Sequence, residues 1–303
     1  MKIIAVVVTF NRLPLLKKCL NAISSQTLLP DNTIVINNGS TDGTASWLAQ
    51  QAVVTYHQAN LGGAGGFSRG ISAAYEHGAD WIWIMDDDTI PHLDALEKLV
   101  TALKLSNVNP ASIGFLSSNI LWTDHTIHRM NQTYILHDPK KIAKLAIPKN
   151  NNLPLIQFGT FVSMLLSAVA VEMFGLPIDE FFIWNDDVEY TKRIIEGGLA
   201  GLFVKDSVAV HETPINHVSN VFIDSPEQLW KYNYGLRNEM FTKRTHEGEL
   251  QFWITWVHRM VIMPFRIAIN RKSHRWNFTK TIWRTSLKAI NFRPAIKSVT
   301  QRV

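Results

Sequence analysis

Two clusters of carboxylates in this chain have the spacing to do chemistry. The first closes an apolar run, W-I-W-I-M-D-D-D-T-I-P from Trp81 to Pro91, with Asp86, Asp87 and Asp88 in succession. Three adjacent aspartates repel and raise one another's pKa unless a cation or hydrogen-bond donors compensate, and a hard divalent ion such as Mg2+ or Mn2+ prefers oxygen ligands. In a D-x-D alternation Asp86 and Asp88 reach one ion, directly or through water, while Asp87 faces elsewhere. Helix capping by Asp88 or Thr89 ahead of Pro91 is the plainer use, and it accounts for one acidic residue rather than three. The second cluster, F-F-I-W-N-D-D-V-E-Y-T-K-R, sets Asp186, Asp187, Glu189 and Tyr190 at the start of an expected helix with Ile194 and Ile195 on its buried side. Helix N-termini favour carboxylates on electrostatic grounds alone, so a charged first turn and a reactive pair both stay open.

Two further motifs bear on the same question. In N-L-G-G-A-G-G-F-S-R-G, the glycines Gly62, Gly63, Gly65 and Gly66 let backbone approach a ligand and then open a helix whose N-terminus favours an anion, with Arg69 as a possible phosphate contact. The spacing matches neither a P-loop nor a dinucleotide fingerprint, and a tight turn with close helix packing is the alternative. H-E-T-P-I-N-H holds His211, Glu212 and His217 without the H-E-x-x-H spacing of a metalloprotease.

The elements that must position these residues alternate. Strands are expected at 3–9, 33–37, 53–57 and 81–86, with helices after Leu13 and near 43–51, 67–77 and 92–104. That order predicts an α/β fold with a largely parallel sheet and helices on both faces, and ligands bind beyond the carboxyl ends of such strands. T-F-N-R, N-N-G-S-T-D-G-T, the glycine stretch and D-D-D each follow one of the four strands. This edge supplies Thr9, Asn11, Arg12, Asn37, Asp42, Gly62, Gly63, Arg69, Asp86 and Asp87 as candidates for holding a phosphate-bearing ligand. The turn-rich residues around 138–152 suggest a loop where the second half begins.

Composition narrows the setting. One cysteine, Cys19, excludes an internal disulfide framework and a cysteine-rich zinc site and fits a reducing, cytoplasmic compartment. The N-terminal apolar run is too short for a signal peptide or a membrane span. The net charge of +5 hides an asymmetry: residues 251–303 hold eleven Lys or Arg and no Asp or Glu, leaving nineteen basic against twenty-five acidic side chains in the first 250. The tail interleaves Arg259, Arg266, Arg271, Lys272, Arg275, Lys280 and Arg284 with Trp253, Trp256, Ile262, Phe265, Trp276, Phe278 and Trp283, as expected of a helix lying on an anionic membrane. A nucleic-acid partner and a basic helix packed on its own domain compete with that reading, and the membrane is preferred. Trp230, Tyr232, Tyr234, Arg237 and Asn238 offer an aromatic wall or clamp for an acceptor, or alternatively core aromatics on a helix.

The ordered set V-V-V-T-F-N-R, N-N-G-S-T-D-G-T, N-L-G-G-A-G-G-F-S-R-G, I-M-D-D-D-T-I-P and W-N-D-D-V-E-Y resembles the inverting glycosyltransferases of family two, which have the GT-A fold. Within them it is most similar to bacterial galactofuranosyltransferases and their rhamnosyltransferase relatives, over roughly residues 1 to 240. The resemblance implies a nucleotide-sugar donor, UDP-linked by preference, and Mn2+ or Mg2+ held by Asp86 and Asp88, joined by His211 in the family's third ligand position. By position Thr9 and Asn37 lie near the base and Arg69 near the diphosphate. Members usually carry aspartate where this chain has Asn37, whose amide oxygen also accepts a base N–H. Asp187 takes the place of the general base, and Trp184, Asp186 and Arg237 that of acceptor-binding residues. The expected organisation is a nucleotide-sugar half at 1–110, an acceptor and catalytic half at 111–245, and a membrane-associating extension at 246–303. The expected activity is transfer of galactofuranose to a lipid-linked O-antigen or capsule precursor at the inner face of a bacterial plasma membrane. A dTDP-dependent rhamnosyltransferase and a non-catalytic nucleotide-sugar binder are the alternatives.

Overall fold

The computed structural model describes residues 1–148 and 151–299. Eight strands, β1 (Ile3–Thr9), β2 (Asn32–Asn37), β3 (Val54–His57), β4 (Trp81–Asp86), β5 (Thr89–Pro91), β6 (Ile113–Leu121), β7 (Met164–Ser167) and β8 (Ala200–His211), form one sheet in the order β3-β2-β1-β4-β7-β6-β8-β5. The first four strands pair in parallel, as the alternating pattern requires. β7 then runs antiparallel between β4 and β6, β8 lies parallel to β6, and β5 closes the edge antiparallel to β8. Six of the eight strands point one way, so the sheet is mostly parallel, and its second half is mixed. β1 is buried at every residue and β4 at all but its last, which explains their unbroken apolar runs.

Helices α1 (Leu13–Ser24), α2 (Thr44–Leu48), α3 (Gly62–Glu76) and α4 (Ala95–Leu105) follow the parallel strands, and α5 (Pro139–Ile142), α6 (Ala168–Phe174) and α7 (Asp186–Glu196) lie in the second half. Two expectations shift. α3 begins at Gly62 rather than near 67, so the glycine stretch is helix instead of a loop before one. The expected loop at 138–152 contains the single turn α5, whose start is capped by the Asp138 carboxylate accepting from the Lys140 N–H; residues 149 and 150 lie outside the described residues.

The glycines in α3 bring the helix onto the sheet. A Cβ on Gly66 would sit 2.4 Å from Val8 Cγ1, and one on Gly70 2.4 Å from Val6 Cγ1, so the helix backbone rests directly on β1. Gly62 adopts φ +73° and abuts the carbonyl of Phe182, which an added Cβ would approach to 2.0 Å. Within the stretch Gly63 alone faces open space. Close packing therefore accounts for Gly62, Gly65, Gly66 and Gly70, and Gly63 is the glycine of the stretch whose Cβ position is open.

The C-terminal part consists of α8 (Leu229–Glu247), α9 (Glu249–Val257), α10 (Met263–Asn270) and α11 (Arg275–Ile290), with a π-helical turn at His258–Ile262 joining α9 to α10. The expected boundary at 245/246 falls inside the last turn of α8. Not all of the basic tail faces solvent. Arg259 is buried and bonds the Leu236 carbonyl and Glu239, and buried Arg271 donates to the carbonyls of Val221 and Asp224 while lying over Phe278. These two arginines and Phe278 are interior, because a bidentate guanidinium can satisfy buried carbonyls. The exposed apolar residues Leu250, Ile254, Val257, Val261, Phe265 and Ile269 recur every three or four positions along α9 and α10 and form one stripe. No helix among the described residues is long and apolar enough to cross a membrane.

The packing of α3 sets an expectation for substitution. Gly66→Ala should destabilise the protein by about 1–3 kcal/mol through overpacking against Val8, whereas Gly63→Ala should be neutral or stabilising by up to about 1 kcal/mol. Urea denaturation of the two variants checks this, and equal effects would contradict the close-approach account.

Candidate active site

β4 delivers the first cluster and β8 completes it. The chain turns at Asp86–Asp88 directly into β5, which pairs with the far end of β8 so that Thr89 stands opposite His211. The Glu212 N–H donates to the Asp88 carbonyl at 2.8 Å and continues the same contact. This register carries His211 across more than a hundred residues to place Nε2 3.1 Å from Asp88 Oδ1. One donor atom from each of Asp86, Asp88 and His211 lies within 4.8 Å of the others. Donors about 2.0–2.2 Å from a single ion lie up to about 4.4 Å apart, so a small contraction would let this set close on one cation. Two carboxylates with one imidazole suit a divalent ion of the Mg2+ or Mn2+ type.

Asp87 does face elsewhere. Its carboxylate accepts from Thr9 Oγ1 at 2.7 Å and from Arg12 Nη1 at 3.5 Å, and the same guanidinium reaches Asp88 Oδ2 at 2.5 Å. Thr9 and Arg12 thus serve the aspartates. The three carboxyl groups titrate apart. Burial, then the charges of Asp88 and Asp87, push Asp86 well above the carboxylate range. Burial lifts Asp87 to about 6 against the pull of Arg12. Burial would also raise Asp88, but the His211 hydrogen bond and charge, with Arg12, outweigh it and hold Asp88 at about 2. An additional cation would relieve what remains on Asp86.

The second cluster sits on a constrained turn. Phe182, Trp184 and Asn185 all take positive φ, at +64°, +65° and +69°, a conformation that L-residues keep only when their surroundings impose it. The amide of Asn238 on α8 imposes it here. Its Nδ2 donates to the carbonyls of Phe181, Ile183 and Trp184 at 2.9, 3.0 and 2.9 Å, and Arg237 fixes the amide by donating to Oδ1. Gly235 lets the Trp184 ring lie on α8, and the Ala64 N–H donates to the Phe182 carbonyl. The turn releases α7 with Asp186 buried and Asp187 half-buried in its first turn. Burial, and then the charge of Asp187, raise Asp186 to about 8; burial raises Asp187 to about 6. The turn seats on the first residues of α3, at the carboxyl edge of the sheet where the first cluster stands, and the Asp186 charge adds to the rise of Asp86.

Other expected residues have different partners. The Asn37 oxygen accepts from the Ser40 N–H and its Nδ2 meets His57 Nδ1, so this buried amide shapes the β2 edge. Asn11, at φ +53°, accepts from the Thr41 N–H. Asp42 accepts from the Leu13 and Thr44 N–H groups and so ties α1 to α2 as a capping residue. Arg69 is exposed and its guanidinium lies over the Tyr56 ring at 5.0 Å. Arg237 serves Asn238, the Glu180 carbonyl and the Phe292 ring, and Trp184 packs on Tyr232. In the aromatic wall, Tyr232 is core and donates to Asp224, while Tyr234 stacks on Phe182 at 4.6 Å.

Sequence reading missed three contributors. Asn38, next to Asn37, receives the Leu61 N–H and donates to the Gly62 carbonyl, holding the entry to α3. Asn238, expected either in an acceptor wall or clamp or in helix packing, braces the turn before Asp186. Lys231, at the start of α8, lies within electrostatic reach of Arg12 and Asp88; burial, and then Arg12, lower its pKa. An asparagine or a lysine on a polar helix carries no periodicity that would single it out.

The sequence profile described as Glycosyl transferase family 2 matches residues 4–160. Galactofuranosyltransferase GlfT1 of Mycobacterium tuberculosis (strain CDC 1551 / Oshkosh) is 31% identical over 215 residues, 69% of this chain and 69% of that protein. Among solved structures, S. aureus TarS 1-349 in complex with UDP is similar with a TM-score of 0.57 and 11% identity, covering 96% of this chain and 81% of that one. Mannosyltransferase PcManGT from Pyrobaculum calidifontis, in complex with GDP-Man and Mn2+, gives a TM-score of 0.51 and 15% identity over 95% of this chain and 74% of that one. At these identities the two structures show a shared fold, the GT-A fold.

Asp186 supplies a test by titration. Its folded pKa, about 8, lies above the ordinary carboxylate value. Its contribution to stability is therefore full below the unfolded pKa and is lost as pH rises through about 8. Asp186→Asn, which cannot ionise, should raise Tm by about 5 °C at pH 8.5 and change it little at pH 4. Thermal denaturation in EDTA at both pH values measures this, and a Tm gain independent of pH would contradict it.

Proposed function

Because the chain belongs to glycosyl transferase family 2, we propose that this glycosyltransferase is metal-dependent and inverting, and transfers galactofuranose from UDP-galactofuranose to a lipid-linked surface-polysaccharide precursor. The observation that carries the mechanism is the meeting of Asp86, Asp88 and His211 at the carboxyl edge of the sheet, where the turn that leads into Asp186 and Asp187 seats on the start of α3. The donor assignment is supported by the 31% identical relative named a galactofuranosyltransferase and by the UDP complex of a similar fold. Asp86, Asp88 and His211 would hold Mn2+ or Mg2+, which when bound supplies positive charge to the donor diphosphate.

The protein's own groups do the rest. Asp187, half-buried and lifted to about 6, takes the proton from an acceptor hydroxyl as that oxygen bonds to the anomeric carbon. The bond from that carbon to the diphosphate oxygen breaks with inversion, and the nucleotide diphosphate leaves with the electron pair. Arg12 and Lys231 add positive charge beside the aspartates, and Gly63 leaves room for close approach of the donor. Asp186 keeps its proton near neutrality and limits like charge next to Asp187. Arg69, stacked on Tyr56, would need to swing from that ring to meet a phosphate.

The apolar stripe of α9 and α10 supports residence at a membrane surface. Beyond Leu250 it lies in residues 251–303, which hold no acidic side chain, and Arg266, Lys272, Arg275, Lys280 and Arg284 of the same segment are exposed. An amphipathic basic surface of this kind seats in the headgroup layer of an anionic bilayer. This supports the reading of a peripheral enzyme that meets a lipid-linked acceptor at the membrane surface.

Asp187→Asn should lower transfer by about 10^3-fold while leaving metal-dependent UDP affinity nearly unchanged, and the wild-type kcat/KM should fall below about pH 6. Transfer assays with UDP-galactofuranose, paired with calorimetry against UDP and dTDP, measure both; retained turnover would remove Asp187 from the reaction, and preference for dTDP would move the donor. Separately, Phe265→Glu with Ile269→Glu should release the protein from anionic vesicles in flotation assays without lowering transfer to a soluble acceptor. Unchanged flotation would contradict the membrane assignment.

A further inference from the structure

The ring of His211 is held on the side away from Asp88 by groups that the reaction itself does not use. Its Nδ1 lies 2.8 Å from Asn131 Oδ1. In the same amide orientation Asn131 Nδ2 donates to Thr160 Oγ1 at 2.9 Å, so both ends of the side chain are bonded. An amide oxygen only accepts, so Nδ1 must carry the hydrogen, and Nε2 is the nitrogen left to face Asp88, donating to its carboxylate when protonated and offering a lone pair to a cation when not.

A second histidine walls the ring. His128 is fully buried, and its ring lies 4.6 Å from that of His211, tilted by 34°. Its Nε2 meets Thr213 Oγ1 at 2.8 Å, and since that hydroxyl donates onward to the Ile215 carbonyl, Nε2 is the donor. Asn131 and His128 belong to one short turn, anchored by the His128 N–H donating to the Ile120 carbonyl on β6 and the Arg129 N–H donating to Asn216. The turn thus reaches from the end of β6 over the end of β8 and grips His211 from outside.

We propose that Asn131 is the positioning residue of the metal centre: its amide oxygen locks His211 in the Nδ1–H tautomer and aims Nε2 at the cation, with the His128 ring blocking rotation. This rests on Asp86, Asp88 and His211 forming a metal site. Partners of this kind usually contribute 10–100-fold in metal affinity, and a carboxylate in the same place makes the imidazole a better donor.

The test is manganese binding to the full chain, followed by the paramagnetic resonance signal of the free ion. Asn131→Leu should weaken binding about 10–100-fold, and Asn131→Asp should restore or exceed the wild-type affinity. In a His211→Ala background Asn131→Leu should have no further effect, because the residue acts only through the ring. If His211→Ala weakens manganese binding but Asn131→Leu does not, or if the two losses add, the positioning role is overturned while the metal site stands. If Asn131→Leu fails to fold, Asn131→Asp decides alone, and weaker binding than wild type overturns the role. A wild-type chain that binds no manganese overturns the metal site and the inference together.

Discussion

Three carboxylates at consecutive positions are the constraint around which this protein is arranged. The turn at Asp86–Asp88 concentrates like charge at the end of a buried strand, and each aspartate receives a different answer. Thr9 and Arg12 take Asp87, Arg12 and His211 take Asp88, and Asp86 is left well above its ordinary range. The carboxylate least satisfied by protein groups is thus one of the three donors that could share a cation. The edge pairing of β5 with β8 matters because it is the device that brings His211 to the same point.

The second constraint is the turn before α7. Holding Phe182, Trp184 and Asn185 at positive φ costs on the order of 1–3 kcal/mol per residue. The Asn238 amide, the Gly235 contact and the seat on Gly62 offset that cost. The arrangement explains why the glycine stretch and the second carboxylate cluster, more than a hundred residues apart, depend on each other. Gly62 lets α3 start against the Phe182 carbonyl, and the same turn then presents Asp187 half-buried. A pair of adjacent aspartates in one buried turn titrates as a unit, which keeps one proton in the site near neutrality.

Much of this was legible in the residues. The alternation of β1 to β4 and their helices follows from apolar periodicity, and the placement of motifs beyond strand ends follows from the parallel pairing. The split of roles between Asp87 and its neighbours follows from the D-x-D alternation. What was not legible depends on contacts between distant segments. Nothing local in N-N-G-S distinguishes Asn37 as a β2-edge residue or Asn38 as the brace of α3. The bracing role of Asn238 has no local signal, because the carbonyls it bonds belong to Phe181, Ile183 and Trp184, far earlier in the chain. Arg259 and Arg271 read as surface charge because composition does not reveal which guanidinium finds buried carbonyls.

The alternate aspartates Asp86 and Asp88, with His211, would make one cation site beside Asp187. A crystal grown with Mn2+ and UDP, with diffraction measured at the manganese absorption edge, tests it most directly. The account predicts one anomalous peak bonded to Asp86, Asp88 and His211 Nε2, with the diphosphate oxygens on its open side and Asp87 still turned to Thr9 and Arg12. A peak centred on Asp87, or on the Asp186–Asp187 pair with His211 free, would contradict it.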